Sequence, residues 1–233
     1  MNINPFQGVW ERQWIQFDLG EKETHQKALW IQGNTYFADV RSATFAGKLT
    51  PERYLNMKAR SRFDVDLMGF AGTFTYNKKS PFKGTCTWHH QLAITPRLQT
   101  DSSNYEWLDE NNLIETGTCE DDNGGVHHFT EYWSRIFRGV VEVWQRNELG
   151  YHGQVMVTES WLILVHEWRS LDTNPLADPE ELSAFSASAW QKINGIWTQQ
   201  WGSDHCLGNE PLSEISAQFW QNFQLIEKSG NRE

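Results

Sequence analysis

Short runs of aromatic and β-branched residues recur along most of the chain, separated by turn-forming residues. The segment from Gly8 to Phe17, for example, places Trp10, Arg12 and Trp14 at alternate positions. Such runs return about every ten residues, a spacing typical of antiparallel sandwiches and barrels. About eight of them precede residue 138, which is enough to close one small barrel.

A Gly33-Asn34 pair lies between two of these runs and predicts a β-hairpin with a two-residue turn. In that register Trp30 lies opposite Phe37, and Ile31 lies opposite Tyr36. Alternation then gives the hairpin two faces: an apolar one of Leu29, Ile31, Tyr36, Ala38 and Val40, and a mixed one of Trp30, Phe37, Asp39 and Arg41.

The second half of the chain continues the pattern, with strand-like runs at 140–146, 153–159 and 160–168. The last run, Trp161 to Trp168, is apolar at both alternating sets of positions, which predicts a strand buried on both faces where two sheets meet. Proline at the first turn after a capping residue, as in Thr50-Pro51 and Asp178-Pro179, predicts short helices over 51–60 and 178–193.

These elements together predict a mainly β protein made of lipocalin-like antiparallel barrels, two in tandem, with a few short helices. The N-terminal barrel spans 1–137. A smaller barrel-like domain spans 138–233 and contains the helix near 178–193.

Alternation also shows which polar side chains share a face with the aromatic residues. Along 84–94 the inward set is Trp88, His90, Leu92 and Ile94; along 112–119 it includes Leu113 and Glu115; along 126–137 it includes Glu131, Trp133 and Arg135. Because buried charges must be paired, one interpretation is a structural ion pair between Glu131 and Arg135. The other is a polar anchor inside a ligand pocket.

On the second interpretation, one set of side chains forms a ligand site inside the first barrel. The predicted ligand-binding residues are Trp30, Arg41, Trp88, His90, Glu115, Glu131, Trp133 and Arg135. No catalytic residue is assigned, because the sequence contains no nucleophile elbow, phosphate loop or zinc-protease motif. Glu115 and Glu131 would form a general acid/base pair only if the strands bring them close together.

Two pairs of histidines, His89-His90 and His127-His128, raise the question of a metal site. Neighbours in a strand point to opposite faces, so only one histidine of each pair can reach a common site. Two such histidines with Glu115 or Glu131 would make a plausible ligand set, but nothing in the spacing requires one. No metal and no cofactor are therefore predicted.

Composition narrows the classes of partner. The net charge of -10 and the pI near 5.3 argue against nucleic acid, which needs a basic face. Cys86, Cys119 and Cys206 are odd in number and have no C-x-x-C spacing, which fits reduced thiols in the cytoplasm. The N-terminus lacks the pattern of a secretory signal, and no apolar run is long enough to insert into a membrane. The 13 tryptophans favour broad sheets around a large core or pocket.

Several short motifs resemble those of a known family. Phe70-Ala71-Gly72-Thr73, then Trp88, Glu115-Thr116-Gly117 and Glu131-Tyr132-Trp133 follow the order found in the N-terminal half of a small fungal family with bacterial relatives. It is named for interaction with a casein-kinase-type protein kinase, the Hri one family. The run from Val157 to Trp168 is similar to a strand of that family's second half, whereas 170–193 has no obvious counterpart.

The resemblance implies two successive lipocalin-like barrels and protein partners, with no catalytic residues to carry over. Separately, Gly8-Val9-Trp10 resembles the G-x-W opening of lipocalins. The expected function is that of a non-enzymatic module that binds a small hydrophobic or amphipathic ligand. The alternatives are a protein-interaction module or homodimer with filled barrels, and an isomerase or hydrolase that uses Glu115 or Glu131 with His90.

Overall fold

The computed structural model describes residues 4–42, 67–93, 100–120, 124–148, 150–168, 185–202 and 222–230. Within those ranges the chain forms 14 strands and no helix. The first eight strands are β1 (Gly8–Phe17), β2 (Lys27–Gln32), β3 (Tyr36–Ser42), β4 (Leu67–Lys78), β5 (Lys83–Ala93), β6 (Asp101–Trp107), β7 (Asn112–Glu120) and β8 (Val126–Phe137). The remaining six are β9 (Val141–Glu148), β10 (Tyr151–Val157), β11 (Trp161–Trp168), β12 (Phe185–Ile193), β13 (Ile196–Gly202) and β14 (Gln224–Ser229).

Strands β1 to β8 form a closed antiparallel barrel in which each strand pairs with the next along the chain. Pairing of β8 with β1 closes it. Closure removes both free sheet edges, which would otherwise expose unpaired backbone groups. The predicted mainly β class and the eight-stranded barrel are therefore confirmed. Across the ranges that the structure covers, no helix has the length and apolar character needed to span a membrane.

Strands β9 to β14 form a six-stranded sheet in the order β13-β12-β11-β10-β9-β14. Among the described strands β13 pairs only with β12 and β14 only with β9, so the predicted second barrel is not confirmed. The helix predicted over 178–193 is wrong from Phe185 onward, where β12 begins. Residues 178–184 and the helix predicted over 51–60 lie outside the described residues.

The reason for the wrong helix lies in β12 itself. Ala187 and Ala189 pack between the barrel and the sheet, while Ser186 and Trp190 are buried on the opposite face. This is the period-two pattern of a strand. Alanine and serine carry a weak β preference of their own, so burial between two layers, rather than local propensity, fixes the strand.

The hairpin between β2 and β3 differs from the predicted one by two positions. Gly33 and Tyr36 are hydrogen-bonded, so the turn consists of Asn34 and Thr35. Trp30 consequently pairs with Asp39 rather than with Phe37. A shift of two residues leaves every side chain on its original face, and the predicted division into an apolar and a mixed face survives for the buried residues.

A hydrophobic layer joins the barrel to the second sheet. Its buried members are Val9, Leu29, Ile31, Ala38, Val40, Ala71 and Leu92 from the barrel, and Val141, Val143, Met156, Ile163, Val165, Ala187 and Ala189 from the sheet. In β11 Ile163 and Val165 belong to this layer, while Leu162 and Leu164 are buried on the far face of the sheet. The prediction that this strand is buried on both sides is confirmed.

Candidate functional site

The two ends of the barrel differ in their connections. At one end, which we call the hairpin end, the strands are joined by the short segments 33–35, 79–82 and 108–111. At the other, the long-connection end, they are joined by the segments 18–26, 43–66, 94–100 and 121–125. In small barrels the interior is either filled by side chains or holds one ligand, so the contents of each end decide where a ligand would fit.

Aromatic rings fill the hairpin end. The ring of Phe6 lies 4.9 Å from those of Tyr105 and Trp107 and 5.1 Å from that of Phe74, measured between centroids. Trp10 is fully buried and stacks on Trp30 at 5.7 Å. These contacts leave the hairpin end packed by the protein's own side chains.

Arg135 belongs to this aromatic end. Its guanidinium lies 4.5 Å from the ring centroid of Trp10, and Nη2 donates to the Pro5 carbonyl at 2.7 Å. Burial lowers the pKa of Arg135 to about 10. The predicted ion pair between Glu131 and Arg135 is therefore wrong. Inward residues four positions apart on a strand are about 13 Å apart, so they face different levels of the barrel.

Glu131 lies nearer the long-connection end, where it is held by two arginines. Arg12 Nη1 and Arg41 Nη1 both donate to its Oε1, Arg41 at 3.3 Å, and Trp133 Nε1 donates to Oε2 at 3.0 Å. Burial alone would raise the pKa of Glu131, but Arg41 and Arg12 outweigh burial and lower it. Glu131 is thus a buried carboxylate with its charge compensated.

Glu115 lies directly opposite Glu131 in the register of β7 and β8. Its pKa is raised well above the ordinary value, first by burial and then by the charges of Glu131 and Asp101. The condition that the sequence analysis set for an acid/base pair, that the strands bring the two glutamates close together, is therefore met in the register. Their pKa values move in opposite directions, so a proton shared by the pair belongs on Glu115 rather than on Glu131.

Arg41 connects this cluster to the surface. Its Nε and Nη2 each donate to a carboxylate oxygen of Asp39 at 3.1 Å, and its side chain keeps 20% of its exposure. Burial raises the pKa of Asp39 and of Asp101, against the opposing effect of Arg41. We call Arg12, Asp39, Arg41, Asp101, Glu115 and Glu131 the ionic cluster.

His90 borders the ionic cluster. Its ring stacks on Phe70, with centroids 4.7 Å apart and planes 21° apart, and it lies 5.8 Å from the ring of Phe37. Its Nδ1 is buried and has no hydrogen-bond partner in the described part of the chain. Burial and then the charge of Arg41 lower the pKa of His90 to about 4, so the imidazole is neutral at pH 7.

The structure brings most of the predicted site residues together. Trp30, Trp88 and Trp133 line the middle of the barrel, with Trp30 5.8 Å from each of the other two rings. Arg41, His90, Glu115 and Glu131 lie toward the long-connection end. Only Arg135 lies apart, at the hairpin end.

Sequence reasoning missed three members of the ionic cluster: Arg12, Asp39 and Asp101. Alternation had already placed Arg12 on the face of Trp10, and Asp39 on the face of Trp30 and Arg41. A search for charged residues on faces that carry aromatic residues would therefore have found Arg12 and Asp39. Asp101 opens β6 and gave no such signal.

A β-bulge between Arg12 and Trp14 turns Trp14 outward, where it packs against Tyr132.

The other histidines of the two predicted pairs lie outside this site. His127 Nδ1 pairs with Asp18 at 2.9 Å, and His89 Nε2 lies 3.2 Å from the Thr75 hydroxyl. Within the described ranges no three histidine, cysteine or acidic side chains are placed to hold a metal ion.

A bulge at the pairing of β4 with β5 turns Leu92 into the layer between the barrel and the second sheet, so its predicted place beside His90 is wrong.

Comparison with known proteins gives a fold and no function. No family model matches the chain, and no curated protein matches it. The chain is similar to a solved structure, the uncharacterized protein YLR301w from Saccharomyces cerevisiae, with a TM-score of 0.65 and 13% sequence identity. The match covers 95% of this chain and 98% of that chain. At this identity the likeness shows that the two chains share a fold.

Proposed function

We propose that the chain is a non-enzymatic, lipocalin-like module that binds a small, partly apolar ligand through the long-connection end of its barrel. The observation that carries the proposal is the buried Nδ1 of His90, which has no partner within the described residues. An unsatisfied buried polar atom costs about 1–3 kcal/mol. A ligand that hydrogen-bonds to this atom would remove the cost.

The surroundings of His90 define the ligand's two parts. Arg41 retains partial exposure, and its charge contributes to lowering the pKa of His90, so the proposal puts the ligand's polar group beside these two side chains. Phe70 and Trp88 supply the apolar surface for its body. Between Trp30 and the hairpin end of the barrel the aromatic rings contact one another. The ligand is therefore short and does not extend into the hairpin end.

The charges of the cluster favour an uncharged polar group. Arg12 and Arg41 are paired with Glu131 and Asp39, and burial raises the pKa of Glu115 well above its ordinary value. A ligand with a full charge would leave that charge uncompensated in a buried site. A hydroxyl, amide or carbonyl group meets the neutral imidazole and the guanidinium without this cost.

The test is calorimetric titration with five probes of one size: benzyl alcohol, benzamide, toluene, benzoate and benzylamine. We expect the alcohol or the amide to bind most tightly. His90→Phe preserves the stacking on Phe70 and removes Nδ1, and should weaken that binding at least tenfold. The neighbouring outward residue provides a matched control, because His89→Phe should leave binding unchanged. The proposal would be refuted if His90→Phe and His89→Phe bound the preferred probe with equal affinity, or if the wild type bound none of the five probes.

A second candidate is acid/base catalysis, favoured by the opposite pKa shifts of Glu115 and Glu131. Neighbouring carboxyl groups with separated pKa values are the usual arrangement of a general acid and its partner. However, both oxygens of Glu131 already accept hydrogen bonds from Arg12, Arg41 or Trp133. A screen of ester and glycoside hydrolysis with Glu115→Gln would identify this chemistry if activity disappeared in the variant alone.

A further inference from the structure

A second cleft lies outside the barrel, where strands β3 and β5 meet β9 and β10. It has a volume of about 350 Å³. Its lining consists of Tyr36, Gln91, Leu92, Gln145, Asn147, His152, Gly153 and Gln154. Ligand sites are frequent at such boundaries between packed units, and this volume lies at the small end of their usual range.

The lining carries amides and almost no charge. Among the residues that the structure describes, three glutamines and one asparagine contribute to it, and no lysine, arginine, aspartate or glutamate does. On a chain of net charge -10 a cleft without acidic residues is a distinct surface. Such a lining gives no compensation to an ionic ligand, so the preferred ligand is neutral and rich in hydrogen-bonding groups.

A chain of hydrogen bonds holds the amides of Gln145 and Gln154 in place. Gln154 is buried, and its Nε2 donates to the Phe37 carbonyl of the barrel at 2.7 Å. Its Oε1 accepts from Gln145 Nε2 at 3.0 Å. Within the described residues Gln145 Oε1 takes part in no hydrogen bond, so it is a preoriented acceptor for a ligand.

His152 and Asn147 form the other preoriented pair. His152 Nδ1 lies 3.2 Å from Asn147 Oδ1. Since an amide oxygen only accepts, Nδ1 is the donor in this contact, and in the neutral imidazole Nε2 is then an acceptor. Asn147 Nδ2 is then a donor beside it. The cleft therefore offers Gln145 Oε1 and His152 Nε2 as acceptors and Asn147 Nδ2 as a donor, with half-buried Tyr36 and buried Leu92 as apolar surface.

From this pattern we infer that the cleft is a second binding site, for one neutral sugar ring. Adjacent hydroxyl groups of a sugar each donate and accept, which matches neighbouring acceptors and donors on amide side chains. The C–H face of the ring matches Tyr36 and Leu92. This site shares no residue with the barrel site, and the inference stands whether or not the barrel binds a ligand.

The experiment is a titration of the ¹⁵N-labelled full chain with glucose, galactose, mannose and N-acetylglucosamine, with glucuronate as the charged probe. We expect at least one neutral sugar to shift the side-chain amide signals of Gln145 and Asn147, and glucuronate to bind at least tenfold more weakly. Asn147→Leu should lower the affinity at least tenfold. The exposed asparagine of β4 is the matched control, and Asn77→Leu should have no effect.

Two further measurements distinguish the cleft site from the barrel site. His90→Phe should leave the sugar response intact, and Asn147→Leu should leave the barrel probes unaffected. Retained amide dispersion in the spectra shows that each variant is folded. Absence of any shift at Gln145 and Asn147 with all four neutral sugars would mean that the cleft holds only water, and would overturn the inference.

Discussion

Glu115 and Glu131 face each other across β7 and β8, yet the same substitution should affect them in opposite ways. Glu131→Gln removes a buried negative charge that accepts hydrogen bonds from Arg12 and Arg41. Glu115→Gln replaces a carboxyl group whose pKa burial raises well above its ordinary value. The comparison isolates the ionisation state, because the two residues are neighbours and the substitution preserves their shape.

The expected magnitudes differ clearly. Removing one partner of a buried ion pair costs about 3–5 kcal/mol, because it leaves the other charge uncompensated. The Arg12 side chain retains only 1% of its exposure and has no access to water as a substitute partner. A substitution that conserves volume usually costs less than about 1.5 kcal/mol. Glu131→Gln should therefore lose several kcal/mol of unfolding free energy and Glu115→Gln little or none.

The two residues also predict opposite dependences on pH. The folded pKa of Glu115 is raised, so its contribution to stability is complete below the unfolded pKa and is lost as the pH rises through the folded pKa. The folded pKa of Glu131 is lowered, so its contribution is present above the unfolded pKa and is lost as the pH falls through the folded pKa. The stability of Glu115→Gln relative to wild type should thus improve as pH rises.

Urea unfolding followed by far-ultraviolet circular dichroism measures these differences, with the slope of the transition as the check on two-state behaviour. Exposed Glu110 on the connection between β6 and β7 is the control, and Glu110→Gln should stay within about 0.5 kcal/mol of wild type. Equal losses for Glu115→Gln and Glu131→Gln at pH 7, or a larger loss for Glu115→Gln, would refute the assignment of the proton to Glu115.

Three further predictions concern other parts of the fold. Gly72→Ala should lower stability by about 1–3 kcal/mol, because a Cβ there would lie 2.0 Å from the His89 carbonyl; an unchanged urea midpoint would contradict this. Arg135→Met should cost about 1–3 kcal/mol through the lost bond to Pro5, and a smaller effect in thermal unfolding would show that the bond is dispensable. Burial lowers the folded pKa of His166 to about 4, so the wild type loses stability when the pH falls from 6.5 to 4. His166→Phe should lose about 3 kcal/mol less over this range. Equal losses of unfolding free energy in the two proteins would disprove the prediction.

Much of the barrel could be predicted from the sequence because its signal is local. Alternation placed Trp30, Asp39 and Arg41 on one face of the hairpin even though the hairpin register was two residues off. An even shift conserves faces, so face assignment tolerates an error that register does not. The same alternation selects Arg41, Glu115 and Glu131 of the ionic cluster, but it does not single out Arg12, Asp39 or Asp101.

Alternation does not show how far along the barrel axis a side chain lies, and it does not show where β-bulges occur. Glu131 and Arg135 share a face, but the barrel places one beside Arg12 and the other over Trp10. A bulge next to Leu92 turns its side chain to the opposite face of the strand, and burial makes Phe185–Ile193 a strand where the sequence predicts the end of a helix. Each of these depends on contacts far apart in sequence, which a local pattern does not encode.

The central claim is that the barrel takes a small ligand at the end where His90 meets Arg41. Native mass spectrometry of the chain purified from its own host tests it most directly, with His90→Phe and His89→Phe expressed in parallel. The account predicts that wild type and His89→Phe carry the mass of one small molecule and that His90→Phe has lost it. The bare chain mass in all three proteins, or the same retained molecule in His90→Phe, would contradict the claim.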